Sequence, residues 1–261
     1  MQFNLELTWL LLVLLVSIRF GVVFFASPFD ALGRLPARIR VLSALGLSAT
    51  LVSALGLSFI ELPSSLVQFG LLAISEALIG LILAFGFYAA FGSIMVAGKL
   101  LDFQAGFGAA QILNPTTNAA NPLFGTLLAL FGLIIFFISD AYQVAIRGLS
   151  WSLNVLPPGS GVIPDGLKPI VGQFGITYLY GVIIAAPVIG VLLLLDTGIA
   201  VIGRSMPQMN VYFLFLPLKI FAALALVMLA LRYLTPVLEQ LFLGVFRYWQ
   251  LTLSQPPVAL G

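Results

Sequence analysis

Three acids sit inside otherwise apolar stretches of the chain: Glu76, Asp140 and Asp196. A charge at a bilayer centre costs about 2.5–3.5 kcal/mol on insertion scales, so each needs a partner, water, protonation or a protein environment. Carboxylates placed this way can relay protons or ions; the alternative is a structural hydrogen bond between packed helices. Arg147 and Arg204 follow Asp140 and Asp196 at about two helical turns, too far for a local i,i+4 pair, and nothing in the sequence clusters the three acids as a coupling site requires. Lys99 and Asp102 lie three apart and can face each other on a helix end, where a salt bridge is favoured over catalysis. The chain has no His and no Cys, which removes the commonest general base, the commonest transition-metal ligand and any thiolate nucleophile. It also lacks a Gly-flanked protease motif, a phosphate-gripping loop and an acid cluster fit for a divalent metal. The sequence reads as non-enzymatic and free of cofactors.

The elements that must position these residues are apolar. Of 261 residues, 61% are hydrophobic and 8% charged, against about 25% charged in an ordinary soluble domain. Eleven Lys and Arg with nine Asp and Glu cannot clothe a water-facing surface, so a soluble globular protein and a disordered one are both excluded. The net charge of +2 is a thin excess on such a chain and does not indicate nucleic-acid binding. No Lys or Arg precedes Arg19, whereas a cleavable signal needs a basic n-region; the first apolar segment is expected to be retained.

Apolar runs of twenty residues or so and longer, each with at most two charges, mark helices able to cross a ~30 Å hydrocarbon core. They are Leu7–Phe25, Val41–Ile60, Phe69–Ala97, Leu123–Ala145, Phe174–Ile202 and Phe213–Leu234, which makes the fold all-α. Pro187 predicts a bent or broken helix. Pro207 and Pro217 predict a helix break between Arg204 and Lys219 that shapes a hairpin. The tail after Gln250 is expected to fray. If all six runs cross, the distribution of Lys and Arg weakly favours an outside N-terminus. Small residues recur every four positions at Gly46, Thr50, Ala54 and Ser58, and at Ala89, Ser93 and Ala97, a spacing that lets helices approach closely.

Two polar segments are more specific. Gly98-x-x-x-Asp102-x-Gln104-x-Gly106-Phe107-Gly108, followed by Asn114-Pro115, resembles the central signature of the flagellar biosynthetic protein FliR family. Arg204-Ser205-Met206-Pro207-Gln208-Met209-Asn210-Val211-Tyr212, continuing to Leu216-Pro217-Leu218-Lys219, resembles its second signature. Arg19 ahead of Pro28, Leu35-Pro36-x-Arg38 and Glu76-x-x-x-Gly80 also match, and the resemblance runs from about Trp9 to Trp249. Related virulence secretion subunits share the layout, with the Pro-Gln-Met-Asn-Val string closer to the flagellar pattern. Asn114 stands where many members have Asp, and Phe215 where many have Gly.

The resemblance implies a core subunit of the flagellar type III protein export gate in the bacterial inner membrane, within the basal body. It implies FliP-type and FliQ-type partner subunits, other export apparatus proteins, and exported polypeptides in transit. Residues 1–172 would be a FliP-like helical region and residues 173–261 a FliQ-like hairpin with a short tail. Much of such an assembly sits above the bilayer plane, which softens the cost of Glu76, Asp140 and Asp196. The segment 106–121 is implied to plug the export lumen. Its residues fit, because a mostly uncharged loop of Gly, Ala, Asn, Thr and one Phe can block a pore without holding passing polypeptide; a plain hydrated connector is the other reading. The competing function is a secondary transporter or proton channel working through Glu76, Asp140 or Asp196.

Overall fold

The computed structural model describes residues 7–26, 36–57, 65–107, 123–164, 167–205, 211–254 and 257–258. Seven helices account for nearly all of them: α1 (Leu7–Ala26), α2 (Ala37–Leu55), α3 (Leu66–Ala105), α4 (Leu123–Ile138), α5 (Ala141–Val155), α6 (Leu167–Ser205) and α7 (Val211–Leu253). A two-residue strand β1 (Ile163–Pro164) pairs antiparallel with β2 (Pro257–Val258). Five helices are long and apolar enough to cross a membrane, or six if α4 and α5 form one broken span.

The apolar runs set where the helices form, and the buried faces follow the helical repeat. Along α3 the buried positions include Leu72, Glu76, Ile79, Leu83, Phe87, Ala90, Ile94, Ala97, Leu101 and Ala105, a stripe at i, i+3, i+4 and i+7 spacing. Its opposite face carries Leu66, Val67, Leu71, Ile74 and Leu81, all exposed. An apolar outer face suits lipid or other chains rather than water. The helices α3, α6 and α7 have 40, 39 and 43 residues. At about 1.5 Å per residue each is roughly 60 Å long, twice a hydrocarbon core.

The chain forms two compact units, each assembled from separated segments. The first comprises Met1–Ala89, Asp140–Phe174 and Leu243–Gly261; the second comprises Ala90–Ser139 and Gly175–Phe242. In the first unit α1 packs on α2, which turns Ala44, Ser48 and Val52 inward. The expected small-residue stripe on α2 lies elsewhere: Gly46, Thr50 and Ala54 are exposed, and Ser58 falls outside the described residues. The other stripe, Ala89, Ser93 and Ala97, is buried. In the second unit a Cβ on Gly181 of α6 would meet the Ser93 carbonyl oxygen at 3.2 Å, so close approach does occur along that face.

Trp249 is the largest fully buried side chain and organises the first unit. Its Nε1 donates to the Leu83 carbonyl at 3.0 Å, and its ring meets Phe87 edge to face. Glycines make the slot. A Cβ on Gly86 would lie 2.8 Å from the indole nitrogen, and one on Gly148 would lie 2.4 Å from the ring.

Several boundaries depart from the sequence expectation. The run Leu123–Ala145 is interrupted: α4 ends at Ile138, and Asp140, left-handed at φ 56°, starts α5. The second run closes early, at Leu55, where Gly56 takes the left-handed conformation that ends helices. Pro187 does not break α6, and Pro217 and Pro236 lie within α7; buried Ile184 and Val188 flank Pro187, and buried Leu234 and Leu238 flank Pro236, which holds the helix through the lost hydrogen bond at both. The run Phe213–Leu234 continues to Leu253 because its buried stripe persists through Leu238, Leu241, Val245 and Trp249. The tail is not frayed throughout, since Pro257–Val258 pairs with Ile163–Pro164.

Candidate functional site

Two polar centres are built into the apolar framework, one in each unit. In the first, Arg19 of α1 is fully buried beside Glu76 of α3. The Arg19 Nε donates to Glu76 Oε2 at 2.6 Å. Its Nη1 donates to the Ser152 carbonyl at 3.1 Å and its Nη2 to the Leu156 carbonyl at 3.0 Å. The Leu156 carbonyl lies just past the C-terminal end of α5, where the helix dipole favours a cation, and the Ser152 carbonyl also accepts the Leu156 amide at 3.0 Å. The second carboxylate oxygen of Glu76 accepts the Gly159 amide at 3.1 Å. Gly159 stands at φ 77°, a backbone conformation glycine adopts readily. A buried ion pair is tolerable only when its remaining donors and acceptors are also met, and here they are.

In the second unit the spacing Gly98-x-x-x-Asp102 has a geometric reason. Residues four apart share a helix face, and this face of α3 meets the start of α4. Gly98 permits the approach: a Cβ there would fall 2.1 Å from the Gly125 Cα. Asp102, one turn on, accepts the Phe124 amide on Oδ1 at 3.1 Å. It thereby supplies a partner for an orphan donor in the first turn of α4. The Oδ2 of Asp102 is buried without a hydrogen-bond partner among the described residues.

Two residues further along α3, Gln104 donates from Nε2 to Asp196 Oδ2 at 2.8 Å. Lys219 of α7 contacts the same carboxylate at 2.7 Å on Oδ1 and 2.9 Å on Oδ2. Residues from both signature segments thus converge on an acid of α6. Asp196 is nine residues before the end of α6 and Lys219 eight after the start of α7. At about 1.5 Å per residue they can meet only if α6 and α7 fold back as a hairpin, as the break between Arg204 and Lys219 predicts. The described part of α6 ends at Ser205 and that of α7 begins at Val211; Pro207, Gln208 and Asn210 are outside the described residues.

Gly106 ends α3 at φ 97° and is buried, and the Phe107 ring meets Phe124 edge to face at 6.0 Å. The rest of the expected plug, including Gly108, Asn114 and Pro115, lies outside the described residues.

The expected Lys99–Asp102 salt bridge does not form: Lys99 is exposed, and Asp102 turns inward to the α4 amides. Of the three acids only Glu76 is fully buried. The Asp196 side chain is 34% exposed. Asp140 is exposed in the turn before α5, where its Oδ1 accepts the Gln143 side-chain amide. Arg204 is also exposed. The sequence reading missed Ser152, Leu156 and Gly159 because they contribute backbone groups, which leave no residue-type signal.

Residues 10–245 match the family described as bacterial export proteins, family 1. The flagellar biosynthetic protein FliR of Bacillus subtilis is 28% identical over 236 residues, covering 88% of this chain and 89% of the relative. FliR of Aquifex aeolicus is 29% identical over 252 residues, covering 95% and 97%. The secretion system apparatus protein SsaT of Salmonella typhimurium is 32% identical over 164 residues, covering 62% and 63%. The chain is a component of a protein export apparatus. Its apolar helices and FliR relatives place it in the bacterial inner membrane, at the flagellar basal body. The match over residues 10–245, together with FliR relatives covered along most of their length, shows that the chain belongs to the FliR family, the bacterial export proteins of family 1.

Proposed function

We propose that the chain is a non-enzymatic core subunit of the flagellar type III protein export gate. It assembles with FliP-type and FliQ-type subunits, forms part of the passage for unfolded polypeptides, and helps to close that passage with residues 106–121. Residues 1–172 act as the FliP-like part and residues 173–261 as the FliQ-like hairpin. The observation that carries this reading is the convergence of Gln104 and Lys219 on Asp196. Together with the Asp102 cap on α4, it fastens both ends of the 106–121 segment to helices. A closure element needs such fixed roots, because only then does its displacement open a path without repacking the helices.

The transporter or proton-channel reading finds less support. Glu76 and Asp196 are engaged by Arg19 and Lys219, and Asp140 faces outward. A relay needs carboxylates in reach of one another or of a water path.

Shortening the 106–121 segment while keeping Asp102 and Gln104 tests the closure role. The complex should still assemble, and the resting channel should leak small solutes. An assembled complex with an unchanged permeability barrier would make the segment a connector.

A further inference from the structure

In the second unit the outward sides of α6 and α7 change chemistry along their length. Between Leu214 and Leu229 every exposed side chain of α7 is apolar, and the exposed residues that follow include Arg232, Tyr233, Glu239 and Gln240. On α6 the exposed side chains of residues 179–202 are apolar apart from Thr197, with exposed Tyr178 before them and exposed Arg204 after. Leu194, Val201, Phe221, Met228 and Leu229 are 64–78% exposed, a run of apolar surface that water disfavours.

The Lys219–Asp196 contact at 2.7 Å fixes the level of one helix against the other. Counted at about 1.5 Å per residue, Arg204 lies about 12 Å from that level toward the connection between the helices. Arg232 and Tyr233 lie about 20 Å the other way, with Tyr178 about 7 Å beyond them. The apolar band between these borders is therefore about 32 Å high, against a hydrocarbon core of ~30 Å. Its borders carry the Tyr and Arg side chains that anchor helices at headgroup level. Hydrocarbon cannot satisfy a polar group, and those inside the band are already met. The exposed Thr197 hydroxyl donates to the Leu193 carbonyl at 2.9 Å, while Lys219 and Gln104 hold Asp196.

We propose that this side of the α6–α7 hairpin is a lipid-facing surface. Acyl chains cover it from the level of Arg204 to that of Arg232 and Tyr233, where α7 leaves the hydrocarbon and carries Glu239 and Gln240 into water. The proposal needs the membrane location alone and stands whether or not residues 106–121 close a passage.

The chain has no Cys, so Leu194→Cys, Phe221→Cys, Leu229→Cys and Gln240→Cys each place a single spin label, all at exposed positions. In the extracted complex, reconstituted in nanodiscs, collision with oxygen and with a water-soluble nickel chelate reports the depth of each label. The labels at Leu194 and Phe221 should lie deep and at one level. Depth should fall by about 1.5 Å per residue from Phe221 to Leu229, and the label at Gln240 should be aqueous. In the unsubstituted protein, a diazirine carried on the lipid acyl chains should mark residues 179–202 and 214–229 and spare 239–250. Labels at Leu194 and Phe221 shielded from both reagents, with no acyl-chain marking, would mean that a partner subunit covers the band and would overturn the proposal. A water-accessible label at Leu194 or Phe221, or a lipid-buried one at Gln240, would overturn it too.

Discussion

Gly80 lies directly against the backbone of Arg19: a Cβ built on it would fall 2.5 Å from the Arg19 carbonyl oxygen. The obstacle is backbone, which cannot swing aside as a side chain would. Gly80 is one turn beyond Glu76 on α3, so the Glu76-x-x-x-Gly80 spacing holds the acid and the close approach on one face. The glycine brings α1 close, and the acid meets the arginine that this approach delivers.

Gly80→Ala should therefore force α1 and α3 apart and destabilise the subunit by about 1–3 kcal/mol, the usual range for overpacking. Thermal unfolding of the purified complex would show it as a lower Tm. An unchanged Tm would mean that the interface is looser than the 2.5 Å approach requires.

Glu76→Gln and Arg19→Met should each cost about 3–5 kcal/mol, because either leaves a charge buried without its counter-ion. Combining Arg19→Met with Glu76→Met should cost less than the sum of the single changes. That non-additivity, read from complex yield and Tm in a double-mutant cycle, is the signature of a coupled pair. A relay role predicts something else: export should fail in Glu76→Gln at normal complex yield.

Lys219→Met should be milder than the Arg19 change. Asp196 keeps Gln104 as a donor and is 34% exposed, so water can solvate the carboxylate left behind. A loss of about 1–3 kcal/mol is expected from one charged hydrogen-bond partner. If the pair fixes the hairpin, single-cysteine cross-linking between the end of α6 and the start of α7 should fall in Lys219→Met.

Asp102→Ala should remove the acceptor for the Phe124 amide and cost about 0.5–2 kcal/mol, as loss of a helix cap does. Asp102→Asn, which keeps an acceptor oxygen, should retain most of the stability. Equal losses in the two variants, measured by Tm, would show that charge rather than the hydrogen bond matters there.

The helices were legible in the sequence because apolar runs and their helical repeat are local properties. Arg19, Glu76, Asp102, Gln104, Asp196 and Lys219 were legible as residues that stand out, but their pairings were not. Arg19 and Glu76 are 57 positions apart, and Gln104 and Asp196 are 92 apart; such pairs are set by which helix faces meet. Asp102 pointed to the nearer Lys99, yet the N-terminus of α4 offered several amides at once. Pro187 and Pro217 misled because proline's cost is local and the helix continues through both, and the last run reads short at Leu234 because the buried stripe from Leu234 to Trp249 rewards continuing the helix. Gly86 and Gly148 gave no signal, since their meaning comes from Trp249, which arrives from the far end of the chain.

The account rests on one claim, that this chain is a part of a larger gate and not a self-sufficient transporter. Its outer faces are apolar along helices roughly twice as long as a hydrocarbon core is thick, so surface beyond the lipid needs other subunits to cover it. The direct measurement is the amount and size of the extracted complex when the chain is expressed with and without FliP-type and FliQ-type companions. The account predicts a stable hetero-oligomer with them, and degradation or aggregation without them. A stable monomer or homodimer that is indifferent to those companions would contradict it.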